Sequence, residues 1–316
     1  MIADSETIDR FANPPWSRCE TIGPNSRISI SLPPSSPSKD LKAEWALAHV
    51  EAVRTFENDD EHLVVYTDGS LKTTRGIRSS GCGGVMYRRG HRLRAFRGAL
   101  GKFMETFDTE MEAFARGVEM VKAWTESNVE EAQRVRYIHF YSDNTGTLQR
   151  AYSATPGYAQ ACSTRIRASI HWLLDALPNA KASLEWVPSH HEIPGADEAD
   201  RLAKIGRNLA EYQPHPRSAI FMKALRRNET QARWQHHWET DPSHFHRSEY
   251  ARANRLPPRL KPTKRLRNNS RKTFSRIFQC RTGHAFIGSY YYRFIMEEST
   301  ECPCGQASVQ TQDHIL

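Results

Sequence analysis

The sequence has no apolar run near the roughly 18 residues that a transmembrane helix needs, so no membrane partner is expected. Its first ten residues, MIADSETIDR, contain neither a basic segment nor an apolar core. A secretory leader is therefore not expected. The expected location is the nucleus or the cytoplasm. Cysteine is scarce, at six in 316 residues, which is more typical of free thiols or metal ligands than of a disulfide framework. A hydrophobic content of 38% and an aromatic content of 10% indicate a soluble, globular protein.

Acidic residues are missing from one long stretch near the C-terminus. Residues 255–276 contain nine Lys and Arg and no Asp or Glu. The wider segment 216–281, which we call the basic block, has 17 basic and 4 acidic residues. Its net charge is +13 in a chain that carries +8, so the remainder is net acidic. Nucleic acid is the predicted partner of this block, because each neutralised phosphate releases a counterion. A solvated basic face or a nuclear localisation signal is the alternative.

The composition predicts three regions. Residues 1–60 are a Pro/Ser-rich linker, with NPPWSRC and SLPPSSPSK, followed by a short helix. Residues 61–212 alternate strand and helix patterns, as expected for an α/β domain. Residues 213–316 form a basic, helical extension that ends in a Cys/His tail.

The α/β region has five predicted strands and four predicted helices. The strands cover 62–68, 82–88, 91–97, 136–142 and 183–187. The helices cover 106–124, 144–153, 158–177 and 196–210. Only RRG separates the second strand from the third, so these two are expected to form an antiparallel hairpin.

Two aspartates directly follow apolar strands. Asp68 ends the run HLVVYTD, and Asp143 follows RYIHFYS. Each has an ordinary explanation, because Asp-Gly is a strong hairpin-turn signal and Asp is a favoured helix N-cap. Ligand sites of open α/β sheets also lie at the carboxyl ends of the strands. Two aspartates at this edge therefore also indicate a binding site.

Helical geometry sets one glutamate of helix 106–124 apart. The apolar residues form a single stripe at about 100° per residue, made of Phe107, Met111, Phe114, Val118 and Val121. Glu110 lies about 60° from the centre of that stripe, whereas Glu112 and Glu119 lie about 120–140° away and are expected to face water. A carboxylate at the edge of a buried face needs a cation nearby. Glu110 is therefore the candidate ligand.

The segment LEWVPSHHEIPGADEADRLAK, residues 184–204, contains a strand end, a histidine-bearing loop and an acidic helix start. The histidines are His190 and His191, and the acids are Asp197, Glu198 and Asp200. Acidic residues are common in a first helical turn because they complement the helix dipole. Taken singly, they indicate little.

Taken together, these motifs resemble a type 1 ribonuclease H domain. YTDGS, TEMEA, SDN and WVPSHHEIPGADEADRLAK follow in the order of that family, between about residues 62 and 210. The resemblance implies an α/β fold in which helices flank a five-stranded mixed sheet with an antiparallel second strand. It also implies an endonuclease that hydrolyses the RNA strand of RNA–DNA hybrids and leaves 5′-phosphate and 3′-hydroxyl ends.

Carried over residue by residue, the resemblance gives four carboxylate ligands for two Mg²⁺ ions, for which Mn²⁺ can substitute: Asp68, Glu110, Asp143 and Asp200. Such a pair of ions activates a water and stabilises the leaving oxygen. His190, rather than His191, matches the loop histidine that aids proton transfer or product release. Ser70 and Asn144, which lie beside two ligands, are the expected contacts with the RNA strand.

The sequence departs from the family pattern at two places in this region. Ser189 stands where glycine is common, and Ala196-Asp197 stand where Asn-Glu is common. Both changes affect the histidine loop and its acidic neighbour. They are expected to alter the rate more than the chemistry.

The C-terminal sequence CRTGHAFIGSYYYRF…CPCGQASVQTQDHIL resembles the end of reverse-transcriptase polyproteins of non-LTR retrotransposons, particularly fungal ones. Cys302, Cys304 and His314 supply three ligands of a candidate Zn²⁺ site, which normally has four. The resemblance implies a fourth ligand shortly after Leu316, so the tail is expected to be truncated unless Cys280 or another side chain substitutes. The PPW segment resembles the linker before the nuclease of such elements, and no polymerase motif is present.

Three functions are consistent with these patterns. The first is an active, metal-dependent hybrid ribonuclease derived from a retroelement. The second is a catalytically weak remnant that binds nucleic acid through its basic block. The third is a transposase or integrase of the same fold, which the histidine loop and the fourth carboxylate disfavour. Protein partners, oligomeric state and cleavage-site preference are not predicted.

Overall fold

The computed structural model describes residues 5–9, 22, 26–153, 155–210, 215–240 and 268–315. The chain divides into two compact units, Met1–Ala224 and Leu225–Leu316, with the boundary inside a helix. The middle of the basic block and residues 1–4, 10–21 and 23–25 of the predicted linker lie outside the described residues. No helix of the described residues is long and apolar enough to cross a membrane.

The elements of the first unit follow in chain order, the last of them crossing into the second unit. They are β1 (Ile28–Ser31), α1 (Lys39–Thr55), β2 (His62–Thr74), β3 (Ile77–Arg88), β4 (His91–Gly101), α2 (Thr106–Ser127), α3 (Val129–Ala132), β5 (Tyr137–Ser142), α4 (Thr145–Ala151), α5 (Gln160–Ala176), β6 (Lys181–Trp186), α6 (Pro194–Gly206) and α7 (Ala219–Thr240). The second unit continues with α8 (Arg271–Thr282), α9 (Gly288–Phe294) and α10 (Gln312–Ile315).

The strands form one mixed sheet in the order β1-β6-β5-β2-β3-β4. β2, β5, β6 and β1 pair in parallel, whereas β3 is antiparallel to both β2 and β4. The predicted α/β fold class is confirmed, including the antiparallel second strand and the flanking helices. The C-terminal extension is helical where it is described.

The sheet has a sixth strand that the sequence patterns did not predict. β1 pairs with β6 inside the region predicted as linker. It is only four residues long, and Ile28 is its one fully buried side chain, so it has no alternating pattern to detect. The Arg27 guanidinium donates to the carbonyls of Leu174, Leu177 and Ala180 at 2.6–3.1 Å, which fixes the strand to the end of α5.

The apolar run HLVVYTD predicted that strand β2 ends at Asp68, and this prediction is wrong. β2 continues to Thr74, and Asp68 pairs with Gly83 of β3. The turn lies seven residues further on, at Arg75 and Gly76, which both have positive φ. The hairpin-turn explanation of Asp68 is therefore wrong. The antiparallel ladder with β3 keeps the chain extended after its apolar part ends.

Apolar side chains cover both faces of the sheet. One core layer packs α2, α4 and α5 against alternate strand residues, with Phe114 and Phe140 among its largest side chains. The other layer packs α1 and α6 against the opposite face, around Val64, Tyr66 and Tyr141. Because alternate residues of a strand face opposite sides, β2 and β5 contribute to both layers. Two-sided burial fixes the register of the strands that carry the acidic residues.

In the second unit, the Ser270 hydroxyl accepts the Thr273 amide and caps α8, which ends at Gly283 with φ +73°. Main-chain hydrogen bonds then join α9 to the Cys/His tail. The Ser289 amide donates to the Gln310 carbonyl, and the Gln310 amide donates to the Thr300 carbonyl, both at 2.9 Å. These contacts bring the tail alongside α9.

Candidate functional sites

A cleft of about 220 Å³ opens where the parallel pairing of β2 with β5 ends. Its walls come from these two strands, from α2, from the loop after β6 and from the start of α6. All five predicted catalytic side chains line it, namely Asp68, Glu110, Asp143, Asp200 and His190. The prediction that the acids meet at one edge of the sheet agrees with this arrangement.

Strand register explains why Asp68 and Asp143 meet. The parallel pairing of β2 with β5 ends at Tyr66 and Tyr141. Each aspartate is two residues beyond that last pair, so both side chains emerge on the same side, past the end of the ladder. Asn144, not Asp143, caps α4, because its Oδ1 accepts the Thr147 amide at 3.0 Å. The N-cap explanation of Asp143 is therefore wrong, and its carboxylate faces the cleft.

Glu110 reaches the aspartates because α2 lies unusually close to β2. The Gly69 amide donates to Glu110 Oε2 at 3.1 Å. A Cβ at position 69 would lie 2.5 Å from the backbone of Thr109 and Glu110, so only glycine permits this approach. The Glu110 side chain is buried, at the edge of the apolar stripe where helical geometry placed it.

Oxygens of Asp68, Glu110 and Asp143 all lie within 4.8 Å of one another. Each comes from a different element, so the three-dimensional fold, not the local sequence, assembles the cluster. Asp200 lies outside this group on the wall of the same cleft, where Lys204 pairs with it at 2.5 Å. The structure thus brings three of the four predicted ligands together and leaves the fourth beside them.

Burial raises the pKa of all three clustered carboxyls above the usual range. It raises the pKa of Asp68 from 3.8 to about 8, and the neighbouring Asp143 and Asp200 add to the shift. The pKa of Glu110 is raised by burial and then by Asp68 and Asp143. The pKa of Asp143 is raised by burial, which a hydrogen bond with Ser189 and the nearby His190 partly offset. Close carboxylates with this electrostatic cost fit a hard divalent cation, which prefers such oxygens.

In metal-free buffer, Asp68→Asn is expected to be more stable than the wild type at pH 8. A carboxyl whose folded pKa is about 8 and whose ordinary pKa is 3.8 binds a proton more tightly when folded. Its contribution to stability is fully present below the ordinary pKa and is lost as pH rises through the folded pKa. The neutral asparagine does not titrate. Its advantage should therefore grow between pH 4 and pH 8 to at least about 1 kcal/mol, measured by urea unfolding.

Comparing the two proteins at each pH removes the contributions of other titrating groups. Asp197→Asn is the control, because Asp197 is an exposed acid at the rim of the same cleft. It should follow the wild type across the whole range. If the wild type is as stable as Asp68→Asn at pH 8, ionisation of Asp68 does not destabilise the folded protein, and the prediction is wrong.

The histidine loop has backbone strain at the cleft. His190 has φ +58° and Glu192 has φ +55°, a conformation that non-glycine residues adopt rarely. His190 lines the cleft and is solvent-exposed, whereas His191 does not line it. This agrees with the choice of His190 over His191. Ser189, one of the departures from the family pattern, also lines the cleft.

The two predicted substrate contacts are both engaged within the protein. Ser70 is buried, and its hydroxyl accepts from Arg207 Nη1 at 2.9 Å. Asn144 uses its carbonyl oxygen as the cap of α4. Their contact with RNA stays a prediction. Arg207, at the end of α6, and Lys204, the last residue of the segment 184–204, were not singled out from the sequence, because only the folded chain places them beside Ser70 and Asp200.

Glu112 does not face water as helical spacing predicted. It is buried, with ion pairs to Arg116 at 2.7 Å and Arg165 at 2.6 Å, and Arg165 also pairs with Glu119. These cations outweigh burial and hold its pKa below the usual range. The prediction failed because α5 covers this side of α2, which an isolated helix cannot reveal. Glu112 thus forms a structural ion pair, whereas no Lys or Arg of the described residues forms an ion pair with Glu110.

The second unit contains a separate cluster of soft ligands. Cys302 Sγ and Cys304 Sγ lie 3.1 Å apart, and Cys304 Sγ lies 2.9 Å from His314 Nε2. A hydrogen bond from the Gln306 amide, with smaller effects of Cys302 and His314, lowers the pKa of Cys304 to about 7. Among the described residues, no fourth Cys, His, Asp or Glu joins this group. Cys280, a predicted substitute for the fourth ligand, is therefore not brought to it.

No protein-family model and no curated protein matches the chain. Solved structures similar to it include RNase H1 from the halophilic archaeon Halobacterium salinarum NRC-1, at 17% identity and a TM-score of 0.35, covering 47% of this chain and 99% of that one. LC11-RNase H1 in complex with an RNA/DNA hybrid has 16% identity and a TM-score of 0.35, covering 46% and 96%. The prototype foamy virus protease-reverse transcriptase has 17% identity and a TM-score of 0.34, covering 47% and 21%. Such identities and TM-scores are too low to assign a function to this chain.

Proposed function

We propose that the protein is a metal-dependent endonuclease that hydrolyses the RNA strand of RNA–DNA hybrids. The observation that carries the proposal is the cluster of Asp68, Glu110 and Asp143 within 4.8 Å in a cleft at the sheet edge. Burial and mutual repulsion make the ionised form of these three carboxyls unfavourable unless a cation is bound. Acids with a purely structural role are instead paired with cationic side chains, so this cluster indicates a functional site. The order of the four sequence motifs supports the choice of reaction.

Asp68, Glu110 and Asp143 are the residues that would hold Mg²⁺ or Mn²⁺, with Asp200 joining them from the wall of the same cleft. Bound in pairs, such ions activate a water and stabilise the leaving 3′ oxygen, giving 5′-phosphate ends. The carboxylates fix the site on rigid elements, and the Gly69 amide holds Glu110 in place. Lys204 balances the charge of Asp200 until a cation replaces it.

His190 is proposed to move a proton at the leaving group or to assist product release. It lies exposed on the loop at the cleft rim, and its charge lowers the pKa of the neighbouring Asp143. Histidine is the side chain that most often transfers protons in enzymes, which suits this role. Ser189 hydrogen-bonds with Asp143, so the loop and the acidic cluster are linked.

A hybrid is the proposed substrate because 2′-hydroxyls and helix shape distinguish RNA from DNA. Ser70 and Asn144 are the proposed contacts with the RNA strand, and the basic block is proposed to bind nucleic acid. We further propose that the chain derives from a retroelement polyprotein and acts in the nucleus or cytoplasm. The resemblance of the C-terminal sequence to such polyproteins supports the first of these.

The test is cleavage of an end-labelled RNA–DNA hybrid with Mg²⁺, compared with EDTA and with duplex DNA of the same sequence. We expect cleavage of the RNA strand only, abolished by EDTA, with 5′-phosphate products. If the folded protein binds the hybrid without cutting it, the alternative holds: a catalytically weak nucleic-acid-binding remnant. If it cuts duplex DNA equally well, the assignment to hybrids is wrong.

We also propose that Cys302, Cys304 and His314 bind Zn²⁺. Two thiolates and an imidazole are its preferred ligands, and the short separations of their ligand atoms suit one ion. Zinc there would hold Cys302 and Cys304 to α10, which carries His314, because metal binding contributes directly to the folding energy of small domains.

Protein prepared with zinc is expected to hold one Zn²⁺ per chain, and Cys304→Ser should lose it. The measurement is metal content by mass spectrometry with colorimetric release after thiol modification. Cys280→Ser is the matched control, since Cys280 does not join the cluster, and it should keep its zinc. Equal zinc in both variants would place the metal elsewhere.

A further inference from the structure

The second unit exposes a row of aromatic rings that neither the cleft nor the Cys/His cluster uses. Phe286 packs edge-on against Tyr290 with ring centroids 5.6 Å apart, and Tyr290 contacts Phe294 at 4.9 Å. The Arg276 guanidinium lies over the Phe286 ring, 6.0 Å from its centroid. We call the three rings of Phe286, Tyr290 and Phe294, together with Arg276, the aromatic row.

The ends of the row are open to solvent. Phe286 is 54% exposed and Phe294 is 60% exposed, although both are large apolar side chains. Within residues 270–296, the other exposed large hydrophobic residues are also aromatic, with the exception of Met296. Exposed apolar side chains that form a contiguous patch mark interaction sites more often than single ones do. Rings, rather than aliphatic chains, indicate a ligand that stacks.

Charge decides what kind of ligand fits. Residues 270–296 contain five Lys and Arg and no Asp or Glu. The basic side chains are Arg271, Lys272, Arg276, Arg281 and Arg293. A positive surface interleaved with aromatic faces suits a strand whose bases are unpaired, because stacking needs free base faces and the phosphates need cations. A duplex hides its base faces and would use only the charges.

We propose that the aromatic row binds single-stranded nucleic acid by base stacking, with the Arg276 guanidinium adding a cation–π or phosphate contact. The inference draws on the proposed nucleic-acid partner of the basic block for the charge of the ligand, and it does not depend on cleavage. It adds a preference for unpaired strands, which charge alone does not give. A nuclease that acts on hybrids meets such strands beside the hybrid.

The experiment measures fluorescence anisotropy of labelled dT15 and of the dA15·dT15 duplex with the full chain. Neither probe contains RNA, so a hybrid ribonuclease leaves both intact, and failure here is distinct from failure of the proposed cleavage. The test variant is Phe286→Leu with Phe294→Leu, which keeps apolar bulk and removes both rings. Its control is Phe278→Leu, an equally exposed phenylalanine on α8 that has no ring contact described with the row.

We expect the double variant to bind dT15 at least about tenfold more weakly, since each stacked base contributes a substantial free energy. Binding of the duplex should change less than about twofold, because its phosphates see the same charges. The salt dependence of dT15 binding should stay unchanged in the double variant and become shallower in Arg276→Gln.

Three results would overturn the inference. Equal losses for dT15 and the duplex would show a purely electrostatic surface. Unchanged dT15 binding would exclude the rings from the site. A wild type that self-associates in sedimentation, while the double variant is monomeric, would assign the row to contact between copies of the chain. Thermal melts of each variant verify folding, and exposed side chains should change stability little.

Discussion

Asp68→Asn is expected to lower the rate of hybrid cleavage by at least about a thousandfold. Asp68 shares the cluster with Glu110 and Asp143, and its charge raises the pKa of Glu110. A neutral amide of the same size removes a charge from the proposed metal site, where stabilisation of the reacting groups amounts to several kcal/mol. The measurement is single-turnover cleavage of a labelled hybrid at saturating enzyme, with Mg²⁺ and then with Mn²⁺.

The same variant should fold and bind the hybrid, because its stability without metal is expected to rise rather than fall. Lost cleavage with retained stability separates a chemical role from a structural one. Asp197→Asn serves as control, and its rate should stay within about fivefold of the wild type, as expected for an exposed rim charge. Cleavage that survives Asp68→Asn at the wild-type rate would remove the acidic cluster from the mechanism.

Much of the fold was predictable because its signals are local. Apolar runs located the strands β2, β5 and β6, and helical periodicity located α2, α5 and α6, mostly within a few residues. The helical stripe of α2 also selected Glu110 correctly as a carboxylate at the edge of the core. These features depend on the spacing of residues within one element, which the sequence displays directly.

The features that failed depend on contacts between distant segments. Glu112 is buried because Arg165 arrives from α5, 53 residues further along the chain. β2 continues beyond Asp68 because β3 pairs with it as far as Thr74. β1 exists because β6 offers a free edge. In each case a tertiary partner overrides the local pattern, and that partner cannot be identified from a single chain segment.

The site shows the same division. Resemblance to a family selected the acids and the loop histidine, and the structure collects all five around one cleft. The resemblance does not show that Arg207 donates a hydrogen bond to Ser70 or that Lys204 forms an ion pair with Asp200. Both contacts bear on how the site would work. Lys204 in particular competes with any cation for Asp200.

Gly69→Ala is expected to damage stability and cleavage together. The added methyl group would lie 2.5 Å from the Glu110 nitrogen and the Thr109 carbonyl carbon, both backbone atoms of α2. The helix cannot rotate a side chain away and must shift as a whole. Overpacking against backbone should destabilise the protein by about 2–3 kcal/mol, measured by urea unfolding with Mg²⁺ present.

The shift would also move Glu110 away from Asp68 and weaken its hydrogen bond to the amide of residue 69. Displacing a reacting group by about 1 Å costs on the order of a hundredfold in rate, so cleavage at a temperature where the variant is fully folded should fall by that factor. Gly146→Ala is the matched control. Its methyl group would meet only side chains, the nearest being Asn144 Oδ1 at 3.1 Å, and alanine favours the helix there. A Gly69→Ala protein with wild-type stability and rate would show that α2 does not rest on β2 at this point, and that the close approach of strand and helix is not what assembles the acidic cluster.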